Sequence, residues 1–315
     1  MEQYAFGIDI GGTTIKCGLF ETTGQLVDKW EIPTRKENDG SYILEDIAET
    51  IAFKMERRKI DKTNVAGIGV GVPGPVLKDG TVVKCVNLGW DVINVAKELE
   101  KKTGLLVKVQ NDANVAALGE MWQGGGKGYQ NLVMVTLGTG VGGGIIIEGK
   151  VLGGADGAGG EIGHINMRQD ETEYCGCKSK GCLEQYASAT GVVHLAREEL
   201  SANRLETVLK NDENLSAELI FNVAKAGDKL ALLIADKTAS YLGRGLAQIG
   251  CIVNPEIFVI GGGMAKAGDI LLDAVKKHYS KNVFHAAANT EFAFAQLGND
   301  AGMYGSVQLL LGDRV

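Results

Sequence analysis

Asp9, Gly11, Gly12, Thr13 and Thr14 lie within six residues of the stretch FGIDIGGTTIKCGLF, with strand-like apolar residues on either side. Glycine-rich turns leave backbone N–H groups uncovered, so phosphate oxygens can approach them closely. Threonine hydroxyls add donors. An aspartate closing a strand is placed to hold a hydrated Mg²⁺, directly or through water. Two further turns of this kind are Gly138–Gly144, where Thr139 adds a hydroxyl, and Gly261–Gly263. A single such turn needs no ligand. Three of them, with Asp and Thr alongside, point to a phosphate-rich ligand. Gly138, Gly140 and Gly143 also match the spacing G-x-G-x-x-G. That dinucleotide fingerprint requires a helix after the glycines, and here the β-branched run IIIEG follows, so the match is accidental. The pattern G-x-x-x-x-G-K-[ST] does not occur.

A second cluster has metal chemistry. His164, Cys175, Cys177 and Cys182 fall within nineteen positions. One imidazole and three thiolates suit a closed tetrahedral Zn²⁺ site, and with all four positions taken by protein the metal is structural. Cys17, Cys85 and Cys251 sit in apolar contexts and are expected in the core.

A third set is acidic and amide. Asn111–Asp112 stand where a strand passes into a helix. Both types cap helices, but the strand end in an open α/β sheet is also where ligands bind. Glu161, His164 and Glu184 flank the zinc loop. Together these groups can hydrogen-bond a polyhydroxylated ligand, with one imidazole nitrogen on zinc and the other donating to a hydroxyl.

These residues need elements to hold them. Strands are expected at Phe6–Ile10, Ile15–Phe20, Leu26–Ile32 and Val65–Val76, and in LLVKVQ (105–110) before Asn111. Helices are expected near Tyr42–Arg58, where Ile43, Ile47, Ile51 and Met55 recur every fourth residue, and at Val92–Lys102. NDANVAALGEMW opens another helix. NLVMVTLGTGVGGGIIIEGKVL (131–152) repeats the strand–turn–strand plan of the opening segment, a weak internal repeat that suggests two related α/β lobes. Helices near Ala187–Leu200, Ala231–Ile249 and Asp269–His278, strands in EIFVIGGG and EFAFAQL, and a last helix follow. The charged stretch Asn203–Glu218 reads as an insertion or surface region. Alternating strands and helices argue for mostly parallel layers.

The totals agree. A chain of 315 residues suits two domains, and 45% apolar content supports sizeable cores. The formal charge is −7, without a basic block, which argues against nucleic acid. No membrane-length apolar run or signal-peptide layout is visible. A cytoplasmic protein with reduced or metal-bound cysteines is expected.

Taken together, the motifs resemble the bacterial ROK family of sugar kinases, with its glucokinase members as the nearest likeness. The matching stretches are DIGGTTIK (9–16), GVPGPV (71–76), NLGW (87–90), NDANVAALGE (111–120), LGTGVGGG (137–144), GEIGH (160–164), CGCKSKGCLEQYAS (175–188) and VIGGG (259–263). They cover most of the chain in the family's order. One departure is Lys178, where the family's cysteine loop usually has glycine. The resemblance implies an actin-like ATPase (ribonuclease H-like) duplicated fold: an N-terminal lobe over 1–120, a C-terminal lobe over 121–315 and a cleft between them.

It further implies that Asp9, Gly11, Gly12, Thr13, Thr14 and Lys16, with Gly138, Thr139 and Gly140, hold the phosphates of ATP. Gly261, Gly262 and Gly263 then lie near the adenosine. Asp112 is the implied catalytic base. Asn111, Asp112, Glu161, His164 and Glu184 bind the sugar, with Gly74 lending backbone contacts. The expected reaction is phosphorylation of a hexose, glucose above others, at the 6-hydroxyl. Other hexoses (N-acetylmannosamine, mannose, fructose, allose) are the alternative. Family members that are repressors carry an extra N-terminal helix-turn-helix, for which a turn beginning at Asp9 leaves no room. Relatives are commonly dimers, sometimes tetramers.

Overall fold

A computed structural model describes residues 3–202, 205–211 and 213–312. Strand β1 (Tyr4–Ile10) and strand β4 (Val65–Val72) are covered on both faces, which is why they read as unbroken apolar runs rather than alternating ones. β2 (Thr14–Glu21) forms an antiparallel hairpin with β1, and β3 (Leu26–Pro33) continues it. β3 alternates buried-side and exposed residues, as an edge strand does. β4 stops at Val72 because Pro73 has no N–H to give to a neighbour.

After β4 come the ribbon β5 (Thr81–Val82) and β6 (Ile93–Asn94), then β7 (Val107–Asn111). The first sheet runs β3-β2-β1-β4-β7. The second is made from β8 (Leu132–Leu137), β9 (Val141–Ile147), β10 (Lys150–Val151), β11 (Ile257–Gly261) and β12 (Glu291–Phe294). Its order is β10-β9-β8-β11-β12. Each sheet therefore has three consecutive strands at one side and two later strands added at the other. The internal repeat seen in sequence is a repeat of topology. The expectation of mostly parallel layers does not hold. β1–β2 and β2–β3 are antiparallel whereas β1–β4 and β4–β7 are parallel. The first two glycine turns are hairpins, and hairpins impose antiparallel pairing.

The helices are α1 (Glu37–Gly40), α2 (Ile43–Arg58), α3 (Val95–Thr103), α4 (Asp112–Gln123), α5 (Glu184–Ala187), α6 (Ala189–Ala202), α7 (Ala217–Lys225), α8 (Lys229–Val253), α9 (Asp269–Asn282) and α10 (Ala301–Leu311). In α2 the four-residue spacing buries Ile43, Ile47, Ile51 and Met55. They join Phe6, Ile8, Ile68 and Val70 in one core. The helix expected near Ala187–Leu200 is α6, and the extended backbone of Ser188 separates it from the short α5. Cys17 and Cys85 are buried as expected, but Cys251 is exposed on α8.

Two compact units emerge. One takes the described residues of Met1–Leu132, Gly144–Gly160 and Gln296–Val315; the other takes Val133–Gly143 and Glu161–Ala295. The division differs from a single cut after residue 120, because α10 packs against α4 and β4 in the first unit. The buried carboxylate of Glu120 fixes that return. Its Oε2 accepts N–H from Gly125 and Gln296 at 2.8 and 2.9 Å, and its Oε1 accepts from Leu297 at 2.8 Å. Gln296 and Leu297 lie just beyond β12, so EFAFAQL leaves the sheet after Phe294.

Candidate active site

The first turn is closed by Gly11 N–H donating to Thr14 O at 3.0 Å. Thr34 braces it, donating Oγ1 to Gly11 O at 2.7 Å and N–H to Thr13 O at 2.9 Å. Gly12 faces open space and, with Thr13, lines a depression of about 510 Å³ that Lys36 also borders. Asp9, at the end of β1, lies beneath α10. A Cβ at Gly302 would stand 2.6 Å from its carboxylate, so only glycine lets the helix come so near. Burial pushes the Asp9 carboxyl up to about 6; Lys16 opposes that shift and Asp112 adds to it. A buried acid in that state has room in its electrostatics for a cation. Lys16, across the hairpin from Asp9, donates Nζ to the carbonyl of Asn299 at 2.9 Å.

Asn111, Asp112 and Gly74 come together. Asn111 is the N-cap of α4: its Oδ1 accepts N–H from Ala113 and Asn114 at 3.0 and 3.2 Å. The capping role weighed from sequence thus falls to Asn111. Its Nδ2 donates to Gly74 O at 3.1 Å and to Asp112 Oδ1 at 2.9 Å. Asp112 is the first helical residue, exposed, with Oδ1 accepting Ala113 N–H at 2.8 Å. One oxygen is held by backbone and amide donors, which orients the carboxylate.

In the second unit, Gly138–Thr139–Gly140 joins β8 to β9, and the strand after it bears out the rejection of a dinucleotide fingerprint. The turn docks on α6: Ala189 N–H donates to Gly138 O at 2.8 Å and Thr190 Oγ1 to Thr139 O at 2.9 Å. Gly261–Gly263 closes β11, with Gly262 at φ +81°. Gly138, Thr139 and Gly263 line one pocket of about 450 Å³, together with Ser216, Glu218, Phe221 and Asn222 around α7. Sequence reasoning assigned part of this wall to a surface insertion. Asn203, Arg204 and Asp212 of that stretch lie outside the described residues. The overlooked signal is Ser216, an N-cap accepting Leu219 N–H, followed by Ala217, Ile220, Phe221 and Ala224 at helical spacing.

The metal-type cluster is real in space. The ligand atoms of His164, Cys175, Cys177 and Cys182 all lie within 4.8 Å of one another. His164 Nδ1 is 3.7 Å from Cys175 Sγ and Cys177 Sγ is 3.6 Å from Cys182 Sγ. The Ser179 N–H is the main reason the Cys177 thiol is drawn down to about 7, while burial pushes Cys175 up. Glu184 touches the cluster, with Oε1 accepting from Cys175 Sγ at 2.8 Å. His164 Nε2 faces Glu161 Oε2 at 4.0 Å. Glu184 also backs the second turn: a Cβ at Gly140 would lie 2.7 Å from its Oε2. Behind the loop, Tyr186 Oη donates to Glu171 Oε2 at 2.6 Å.

The sheet topology and the three glycine turns define an actin-like ATPase fold. Residues 5–312 match the ROK family, and the chain belongs to it. It is 43% identical over 309 residues to the glucokinase of Halalkalibacterium halodurans, covering 96% of this chain and 94% of that one. It is 35% identical over 310 residues to the glucokinase of Thermotoga maritima, covering 96% of each. The crystal structure of a ROK family glucokinase from Streptomyces griseus in complex with glucose and AMPPNP is similar, with a TM-score of 0.73 and 33% identity. The match covers 97% of this chain and 98% of that one.

Proposed function

We propose that this protein is a glucokinase, transferring the γ-phosphoryl group of ATP to the 6-hydroxyl of glucose to give glucose 6-phosphate. The observation that carries the reading is the Asp112 carboxylate, exposed at the start of α4 and oriented by Asn111 and Ala113 N–H. That is the geometry a general base needs to take a hydroxyl proton. The oxygen so freed attacks the γ-phosphorus as its bond to the β–γ bridging oxygen breaks and ADP leaves.

Gly11, Gly12, Thr13, Thr14, Gly138, Thr139 and Gly140 supply N–H and hydroxyl donors for the phosphates, as phosphoryl transfer requires. Lys16 contributes positive charge beside Asp9. Asp9 is the carboxylate that would hold Mg²⁺, directly or through water, and the cation would neutralise phosphate charge. Gly261, Gly262 and Gly263 take the adenosine side. The sugar hydroxyls are bound by Asn111, Asp112, Glu161, His164 and Glu184, with the Gly74 backbone supporting Asn111.

His164, Cys175, Cys177 and Cys182 are a donor set suited to Zn²⁺. His164 turns Nδ1 to the cluster, which leaves Nε2 to bind a hydroxyl. A Zn²⁺ held by these four residues would keep His164 and Glu184 in place without taking part in the chemistry. A cytoplasmic homo-oligomer, dimer or tetramer, completes the reading; no helix of the described residues is long and apolar enough to cross a membrane.

A coupled assay over a panel of hexoses, with ATP and polyphosphate as donors, tests the proposal. Glucose with ATP should give the highest kcat/KM. A higher value for N-acetylmannosamine, mannose, fructose or allose would reassign the substrate, and no turnover with any would remove the kinase reading.

A further inference from the structure

One cavity serves none of the roles above. It measures about 530 Å³ and is built wholly from the first compact unit. Its floor is apolar, from Leu77, Ala96, Val107, Val109, Leu118 and Val151. Its rim carries Lys78, Lys97, Lys108 and Lys150 against Asp79 and Glu100. Both acids are already engaged by protein donors: Asp79 by Thr81 N–H at 3.1 Å and Asn94 Nδ2 at 3.1 Å, and Glu100 by Val107 N–H at 3.1 Å. Among the described residues, the side-chain ammonium groups of Lys78 and Lys150 have no hydrogen-bond or ion-pair partner.

A concentration of lysines over an apolar floor is unexpected in a chain of net charge −7. The volume is that of a small-molecule site, and the positive rim focuses a field that attracts anions.

We infer that this cavity is a second ligand site, for a small organic anion with an apolar body. The apolar part would cover the valine and leucine floor, and the acidic group would meet the rim lysines. The cavity also reaches Gln110, whose Oε1 accepts Asn111 N–H at 2.8 Å and Asn114 Nδ2 at 3.4 Å. A bound molecule would therefore rest on the side chain that steadies the first turn of α4.

The test uses 8-anilinonaphthalene-1-sulfonate as the probe, on full-length protein kept saturated with AMPPNP and glucose so that their sites are closed to it. The expected result is one saturable fluorescence transition whose midpoint rises at least ~10-fold in the Lys97→Glu/Lys150→Glu variant and weakens with added salt. Both lysines are exposed, so the variant keeps its fold, which circular dichroism checks. Val151→Trp, which fills the cavity from one wall, should abolish the transition. The inference is overturned if there is no saturable binding under these conditions, or if the midpoint is unchanged in both variants. Binding is read without turnover, so its outcome is separate from that of the kinase assay.

Discussion

Lys178 sits at φ +70° in the cysteine loop, the position at which it departs from the family's glycine. For an L-residue with a Cβ the left-handed region costs roughly 1–2 kcal/mol. The loop tolerates it because Lys178 N–H donates to Cys175 O at 2.8 Å and closes the turn that carries two thiols. Lys178→Gly should therefore raise stability by about 1 kcal/mol in urea unfolding. Unchanged or lower stability would show that the lysine is not strained.

Glu171 makes a second residue-scale case. Burial alone would push its carboxyl up. Glu173 N–H, the Tyr186 hydroxyl, Thr172 N–H and Arg168 outweigh this and hold it down to about 2. A carboxyl depressed in the fold stabilises fully above its unfolded value of 4.5, and that contribution disappears as pH falls from there toward 2. Denaturation curves over this window should show wild type losing more stability than Glu171→Gln, with parallel curves contradicting the assignment.

At the scale of elements, α7 closes the pocket that the second and third glycine turns share. Asn222→Ala should raise KM for ATP about 3–10-fold, the loss of one hydrogen bond, and leave KM for glucose unchanged. An equal rise in both would place α7 elsewhere in the mechanism. A metal bound by His164, Cys175, Cys177 and Cys182 would tie the cysteine loop together. Cys177→Ser should lower zinc content, thermal stability and glucose affinity together. Full affinity in a zinc-free variant would separate the metal from the sugar site.

Much at this scale was legible. Glycine turns, the Asn111 cap and the cysteine spacing are local features, and the structure has each where its residues put it. α7 was less so, because its short amphipathic run follows a charged stretch and gives no sign of which pocket it walls. The mix of parallel and antiparallel pairs was missed for a similar reason: strand direction depends on connections, and a glycine turn binding phosphate and one making a hairpin look alike in sequence. The early end of β12 comes from a partner distant in sequence, Glu120, which is separated from Gln296 by the whole of the second unit.

Over the whole molecule, the repeated sheet order β3-β2-β1-β4-β7 and β10-β9-β8-β11-β12 is the duplication that the sequence only hinted at. The long-range return of α10 to the first unit was not visible, since a final helix that is apolar nearly all round carries no mark of where it docks. The proposed phosphoryl transfer turns on one carboxylate, that of Asp112. The most direct measurement compares Asp112→Asn with wild type, taking kcat from the coupled assay and glucose affinity from calorimetry on the same preparations. The asparagine keeps the shape and the hydrogen bonds but cannot accept the proton. Turnover should fall at least ~10²-fold while glucose still binds; turnover near the wild-type rate would contradict the role assigned to Asp112.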